Sequence, residues 1–140
     1  MTGPWTFEQA HAACQKASRM QADAEDALRD AVKTAAHAEE AYRLAVAKEI
    51  LRQHNDDGVA WTVAPDLARG EKTVARLQRE RSIAEGMRDA TAQLAWRRAA
   101  DRKDAQRFSD WSQRRELAEN GAPAQSGPDL PVIGGRRAAA

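Results

Sequence analysis

The side chains of this sequence that could do chemistry are few, and they do not form a recognisable site. His11 and Cys14 lie three residues apart, as do Asp23 and Asp26, and this spacing brings two side chains onto one face of a helix. A structural metal site needs about four ligands that converge from different segments, and no convergent set of ligands accompanies either pair. We therefore predict no metal site.

Catalytic patterns are also missing. The sequence contains neither the phosphate-binding glycine loop nor the glycine pattern of dinucleotide-binding folds, and Gly58 and Gly70 fit turns. The neighbouring Glu39 and Glu40 are expected on a solvated helix face, where no pocket supports general acid–base catalysis. We expect no enzymatic activity, no cofactor and no small-molecule substrate.

Three aspartates surround one tryptophan in the short segment between two alanine-rich stretches. Asp56 and Asp57 precede Trp61, and Asp66 follows it. Because tryptophan is enriched in binding hot spots, this acidic segment is a candidate binding site for a protein partner. The alternative is that Trp61 folds back as a structural cap and that the aspartates only terminate helices.

Cationic and aromatic residues share one face of the second alanine-rich stretch. They are Trp96, Lys103, Arg107, Trp111 and Arg114. Cations suit contacts with phosphate groups and aromatic rings suit base stacking, so this basic stripe is a candidate nucleic-acid contact. The alternative is that the tryptophans pack against the first helix or a second copy, while the cations extend into water. Nearby aspartates also dilute the positive field.

The composition favours long helices with a thin core. The chain has 140 residues, of which 31% are charged, 5% are aromatic and 31 are alanine. A chain with few large aliphatic side chains buries a narrow seam between helices, or associates to bury more. The net charge of +1 predicts no general attraction to nucleic acid or anionic lipid. The stretch 66–119 is the more basic one, with thirteen basic and ten acidic residues.

Capping signals divide the chain into segments. Thr6 and Gln9 fit a capping box, and Gly58 suits the left-handed position after a helix. The end of the chain is rich in proline, glycine and alanine, which is typical of disorder. We predict an N-terminal lead over 1–5, a first helix over 6–55, a tip loop over 56–70, a second helix over 71–119 and a disordered tail over 120–140.

Apolar and small residues recur in alternating steps of four and three, as in coiled coils. The first seam is Cys14, Ala17, Gln21, Ala24, Leu28, Ala31, Ala35, Ala38, Tyr42 and Ala45. The second seam is Val74, Leu77, Ala84, Met87, Thr91, Leu94, Ala105 and Phe108. We predict an all-α fold, a long antiparallel two-helix hairpin with Trp5 and Phe7 near Phe108 and Trp111. Large side chains off the seam predict that copies assemble into a dimeric helical bundle.

The remaining features of the sequence bear on the cellular compartment of the protein. Cys14 is the only cysteine, so no intrachain disulfide can form and a reducing compartment is favoured. No apolar run approaches the length of a membrane span, and the first residues lack a signal-peptide pattern. We expect a soluble cytoplasmic protein that does not contact membranes.

Three short patterns between Glu40 and Met87 carry a resemblance to a known group of proteins. They are Tyr42 in the first helix, Leu67-Ala68-Arg69-Gly70 before the second, and Val74-Ala75 with Arg79 inside it. With these, about a third of the chain resembles small coiled-coil proteins encoded by tailed bacteriophages and prophages. The resemblance implies a phage protein in the cytoplasm of a host cell, and no mechanism.

The sequence thus predicts a self-associating, non-enzymatic phage accessory protein that binds a host or phage protein. The alternative is a nucleic-acid-binding accessory in phage replication or recombination. A third hypothesis is that the acidic tip enters a channel of a host enzyme such as RNA polymerase, which rests on analogy of shape alone.

Overall fold

The computed structural model describes residues 5–121 as two long helices joined at one end by a short one. Helix α1 spans Phe7–Asp57, α2 spans Ala64–Gly70 and α3 spans Lys72–Glu119. Helices α1 and α3 pack antiparallel, which confirms the predicted all-α helical hairpin, with one more helix than predicted at its tip. Residues 1–4, and the predicted disordered tail from residue 122 onward, lie outside the described residues.

Local capping defines both ends of α1. Thr6 Oγ1 accepts a hydrogen bond from the Gln9 N–H at 3.2 Å, and Gln9 Oε1 accepts one from the Thr6 N–H at 3.0 Å. The helix continues to Asp57, beyond the predicted end at residue 55, and stops where Gly58 adopts the left-handed conformation at φ 68°. The glycine, rather than the asparagine and aspartates before it, therefore terminates the helix.

The tip is more helical than predicted. Only residues 58–63 form an open connection before α2 begins. Pro65 lies in the first turn of α2, where backbone N–H groups have no hydrogen-bond partner within the helix, so a proline costs no hydrogen bond. Glu71 is extended and caps α3, with its carboxylate accepting from the Val74 N–H at 3.0 Å. Hydrogen bonds from the backbone N–H groups of Thr73 and Val74 lower the pKa of Glu71.

The α1 seam lies where the heptad pattern predicts it. All ten of its residues are buried or half-buried, with Cys14, Ala24 and Ala35 among the most deeply buried residues of the hairpin. Small side chains repeated along one face let a second helix approach closely. The alanines are therefore the structural requirement for the tight pairing of α1 with α3.

The predicted α3 seam is wrong by one residue at three positions. Met87, Leu94 and Phe108 are exposed, whereas the residues that follow them are buried or half-buried. The observed seam is Val74, Leu77, Arg81, Ala84, Arg88, Thr91, Ala95, Arg98, Ala105, Ser109, Ser112 and Glu116. This set keeps the alternating steps of three and four from Val74 to Arg98 and again from Ala105 to Glu116. A narrow gap opposite alanines accepts alanine, serine and extended arginine more easily than bulky leucine or phenylalanine.

The hairpin therefore reverses the usual arrangement of side chains, in which the large apolar ones are buried and the small ones are exposed. Among the described residues, the largest side chains less than 2% exposed are Val74 and Ser112. By contrast, Trp96 is 84% exposed, Met87 61% and Ile83 60%. The small side chains are inside the hairpin and many of the large apolar ones are outside it.

Aromatic residues close the end of the hairpin opposite the tip. The ring of Trp5 meets that of Phe108 edge-on at 5.8 Å, which confirms the predicted proximity of these two residues. Phe108 in turn stacks on Trp111 at 5.7 Å. The Phe7 N–H donates to Glu116 Oε1 at 2.6 Å, and Arg115 donates to the Trp5 carbonyl at 2.8 Å. These bonds tie the start of α1 to the end of α3.

Candidate functional site

At the tip, Trp61 is held on one face and open on the other. Its ring stacks on His54 with centroids 3.6 Å apart, and His54 Nδ1 lies 2.9 Å from the Val59 carbonyl oxygen. Trp61 is nevertheless 53% exposed. The stacking agrees with a structural cap, and the exposed face leaves room for a partner, so the predicted recognition role stays a prediction.

The tip is less acidic in the structure than in the sequence. All three aspartates are exposed, but Asp57 pairs with Arg52 at 3.2 Å and Asp66 pairs with Arg69 at 3.2 Å. Arg52 also binds Glu49 at 2.7 Å, and this hydrogen bond lowers the pKa of Glu49. Because the arginines lie beside the aspartates, a partner would meet alternating charges around Trp61 rather than a uniformly negative surface.

The predicted nucleic-acid contact is an exposed surface on the outer side of α3. Trp96, Lys103, Arg107 and Arg114 are all exposed, so Trp96 does not pack against α1. Trp111, half exposed, belongs instead to the aromatic end of the hairpin, where Arg115 lies 4.9 Å from its ring centre. The stripe therefore presents cations with one fully available tryptophan, and its second tryptophan is partly engaged.

A cluster centred on Arg81 ties the two long helices together. Arg81 Nε lies 2.8 Å from Glu39 of α1 and 3.2 Å from Glu85 of α3, and its guanidinium lies 4.8 Å from the centre of the Tyr42 ring. The sequence reasoning missed this residue because it sought apolar seam positions. The signal was present, since Arg81 is four residues after Leu77 and three before Ala84.

On the other side of the seam, α3 carries an apolar stripe composed of Ile83, Met87, Ala90 and Leu94, all exposed. Beside it, a groove of about 350 Å³ runs between the helices. Ile83 and Met87 line the groove from α3, and Ala31 and Thr34 line it from α1. The groove is open and almost entirely apolar, which suits an apolar side chain from another molecule.

Three of the four residues considered for metal binding have other partners. Cys14 Sγ lies 3.1 Å from Gln106 Oε1, Asp26 pairs with Arg29 at 2.9 Å, and the His11 ring lies beside Phe7. Within residues 5–121, no group of three or more histidine, cysteine, aspartate or glutamate side chains converges. In the same part of the chain, no helix combines the length and the apolar character that a bilayer crossing requires.

Comparisons with protein-family models, with curated proteins and with solved structures found no match to this chain. The features that bear on function are therefore its own surfaces: the tip around Trp61, the basic stripe and the apolar stripe of α3.

Proposed function

We propose that this chain is a non-enzymatic association module, a helical hairpin that pairs with further copies of itself and binds a protein partner through its tip. The observation that carries the proposal is that small side chains fill the seam while large apolar side chains are exposed. The seam is filled mainly by alanine, with serine and arginine at several positions of α3, while Ile83, Met87 and Leu94 extend into solvent.

Burial of these side chains would stabilise an assembly substantially. Each large apolar side chain removed from water contributes about 1.5–3 kcal/mol. Clustered apolar side chains on the surface of a soluble protein commonly mark an interaction site. A second molecule that covers the apolar stripe would supply the burial that the hairpin lacks.

The non-enzymatic character is supported by the shape of the hairpin. Enzyme sites are concave pockets that surround a substrate and exclude water. Three cavities along the described residues are open grooves on helix surfaces, lined mainly by apolar atoms. Such grooves suit the side chains of a partner protein better than a reacting small molecule.

The cellular setting stays a prediction. The resemblance to small coiled-coil proteins of tailed bacteriophages predicts an accessory protein that acts in the cytoplasm of a host cell on a host or phage protein.

Affinity purification of the full chain from cells that express it tests the partner proposal, with half of the lysate treated with nuclease. We expect one protein to be retained in both halves in constant ratio to the bait. Recovery that disappears with nuclease would contradict the protein-partner proposal and support the alternative below.

The same partner tests the role of Trp61. Trp61→Ala should weaken binding by about 2 kcal/mol or more, the threshold for a hot spot, because the exposed ring face is lost. Trp61→Phe is the matched control, since it keeps an aromatic ring against His54. If Trp61 is only a cap, Trp61→Ala will lower the melting temperature and leave the affinity of the folded fraction unchanged.

A second candidate function is nucleic-acid binding by the basic stripe. The observation that favours it is the exposure of Trp96 together with Arg107 and two further cations on one side of α3. An exposed ring can stack on an unpaired base while neighbouring cations contact phosphates.

Salt dependence distinguishes this candidate. If Lys103, Arg107 and Arg114 contact phosphates, replacing all three by alanine should flatten the plot of log affinity against log salt by about 0.7–0.9 per lost contact. The control removes three exposed cations of α1, Arg19, Arg29 and Lys33, and should leave the slope unchanged. Absence of binding to DNA or RNA at low salt would rule the candidate out.

A further inference from the structure

We infer that the second copy docks on the apolar stripe of α3, with the two α3 helices antiparallel about a two-fold axis that passes between residues 88 and 89. The inference rests on the proposed self-association and adds the surface, the orientation and the pairing of residues.

The interaction surface extends the apolar stripe by charged residues at both ends. In chain order it consists of Arg76, Glu80, Ile83, Met87, Ala90, Leu94, Arg97 and Asp101. The steps between them alternate four and three, so the eight residues follow one face of α3, beside the seam. All eight are exposed, so that a second helix can reach them without rearrangement of the hairpin.

This surface is complementary to the same surface of a second copy that runs in the opposite direction. About the proposed axis, Glu80 faces the partner's Arg97, and Arg76 faces the partner's Asp101. Both pairs bring opposite charges together, and two-fold symmetry forms each of them twice. A parallel arrangement in register would instead oppose Glu80 to Glu80 and Arg97 to Arg97, which is repulsive. The charges therefore select the antiparallel arrangement.

The centre of the surface is complementary in size. Met87 faces the partner's Ala90, so that a long side chain meets a small one, and Ile83 faces the partner's Leu94. The partner's Leu94 then lies next to the groove of about 350 Å³ lined by Ile83 and Met87. That volume is sufficient for an aliphatic side chain.

The charged residues are available for pairing between copies. Within the hairpin, Arg76 and Glu80 are 3.9 Å apart, and Asp101 is 3.5 Å from Arg98. These are long ion pairs between exposed side chains, which contribute little to stability and exchange partners easily. Arg97 forms no ion pair among residues 5–121. Pairing across an interface would therefore disrupt no strong internal contact.

Charge reversal tests the pairing, with the dissociation constant of the dimer measured by sedimentation of the full chain. Glu80→Arg should place two like-charged pairs in the interface and raise the constant about tenfold or more, and Arg97→Glu should do the same. The double variant restores opposite charges and should return the constant to within about threefold of the wild-type value. Failure of the double variant to recover would overturn the pairing.

Two controls separate a local effect from a general one. Glu40→Arg changes the net charge as Glu80→Arg does, at an exposed position of α1, and should leave the constant unchanged. Met87→Lys should weaken the dimer strongly, whereas Val32→Lys, at an exposed position on the opposite side of the seam, should not. Circular dichroism should show the same helix content in every variant, because all these residues are exposed.

The outcomes distinguish this inference from the proposal on which it rests. A dimer whose dissociation constant none of the α3 variants changes would contradict the docking surface and leave self-association intact. A wild-type chain that stays a single molecule at every concentration would contradict both.

Discussion

Replacing Ala35 by leucine should lower the free energy of unfolding by about 1–3 kcal/mol, because the larger side chain overpacks the seam between α1 and α3. Ala35 is only 4% exposed and lies near the middle of α1. At this position the two helices cannot move apart to relieve the strain as easily as at their ends. Ala31 and Ala38, which are half-buried, should show intermediate losses. Urea denaturation at one fixed chain concentration measures the effect while it keeps the contribution from association the same for every variant.

Ala22→Leu is the matched control. Ala22 belongs to the same helix but is exposed, so the substitution should change stability by no more than about 0.5 kcal/mol. Equal losses in Ala35→Leu and Ala22→Leu would show that the face of α1 that contacts α3 is not the alanine seam.

Arg81→Ala should destabilise the hairpin by about 1–2 kcal/mol. The substitution removes two ion pairs that are only partly exposed to solvent and a cation–π contact with Tyr42, each worth up to about 1 kcal/mol. It also leaves Glu39 and Glu85 close to each other without their shared cation. Arg81→Lys should recover part of the loss, because an ammonium group keeps the charge but cannot reproduce the planar contacts of guanidinium.

Arg79→Ala is the control for charge and helix propensity, since Arg79 is exposed on the same helix two residues earlier. It should have almost no effect on urea denaturation. A loss as small in Arg81→Ala as in Arg79→Ala would mean that the Arg81 cluster does not hold the two helices together.

The centre of the proposed dimer surface lies well away from the tip, which makes the two proposed binding surfaces experimentally separable. Met87 lies sixteen residues beyond Glu71 along α3, or roughly 24 Å at 1.5 Å per residue. Variants of the apolar stripe should therefore leave partner binding at the tip intact, and variants of Trp61 should leave the dimer intact.

The fold could be predicted from sequence where local signals and periodicity agree. On α1, the capping box at Thr6 and Gln9 and the regular recurrence of small residues both indicated the observed helix and its buried face. The aromatic residues at both ends of the chain indicated the antiparallel return. Each of these signals is short-range or repeats many times, so one irregular residue does not obscure it.

The α3 seam and the tip could not be predicted in the same way. Hydrophobicity favoured Met87 and Leu94, but the width of the gap opposite α1, a tertiary property, determines which neighbour faces inward. Similarly, Asp57 pairs with Arg52 because α1 continues to Asp57, whereas local signals predicted that the helix ends two residues earlier. The acidic tip was thus predicted from residues whose charges the fold partly neutralises.

The central claim is that the large apolar side chains outside the seam serve association, and the mass of the full chain in solution tests it most directly. One chain has a mass of 15.4 kDa. Sedimentation equilibrium over a concentration series into the micromolar range should show at least twice this mass, falling towards it on dilution. A mass of one chain at every concentration would contradict the claim.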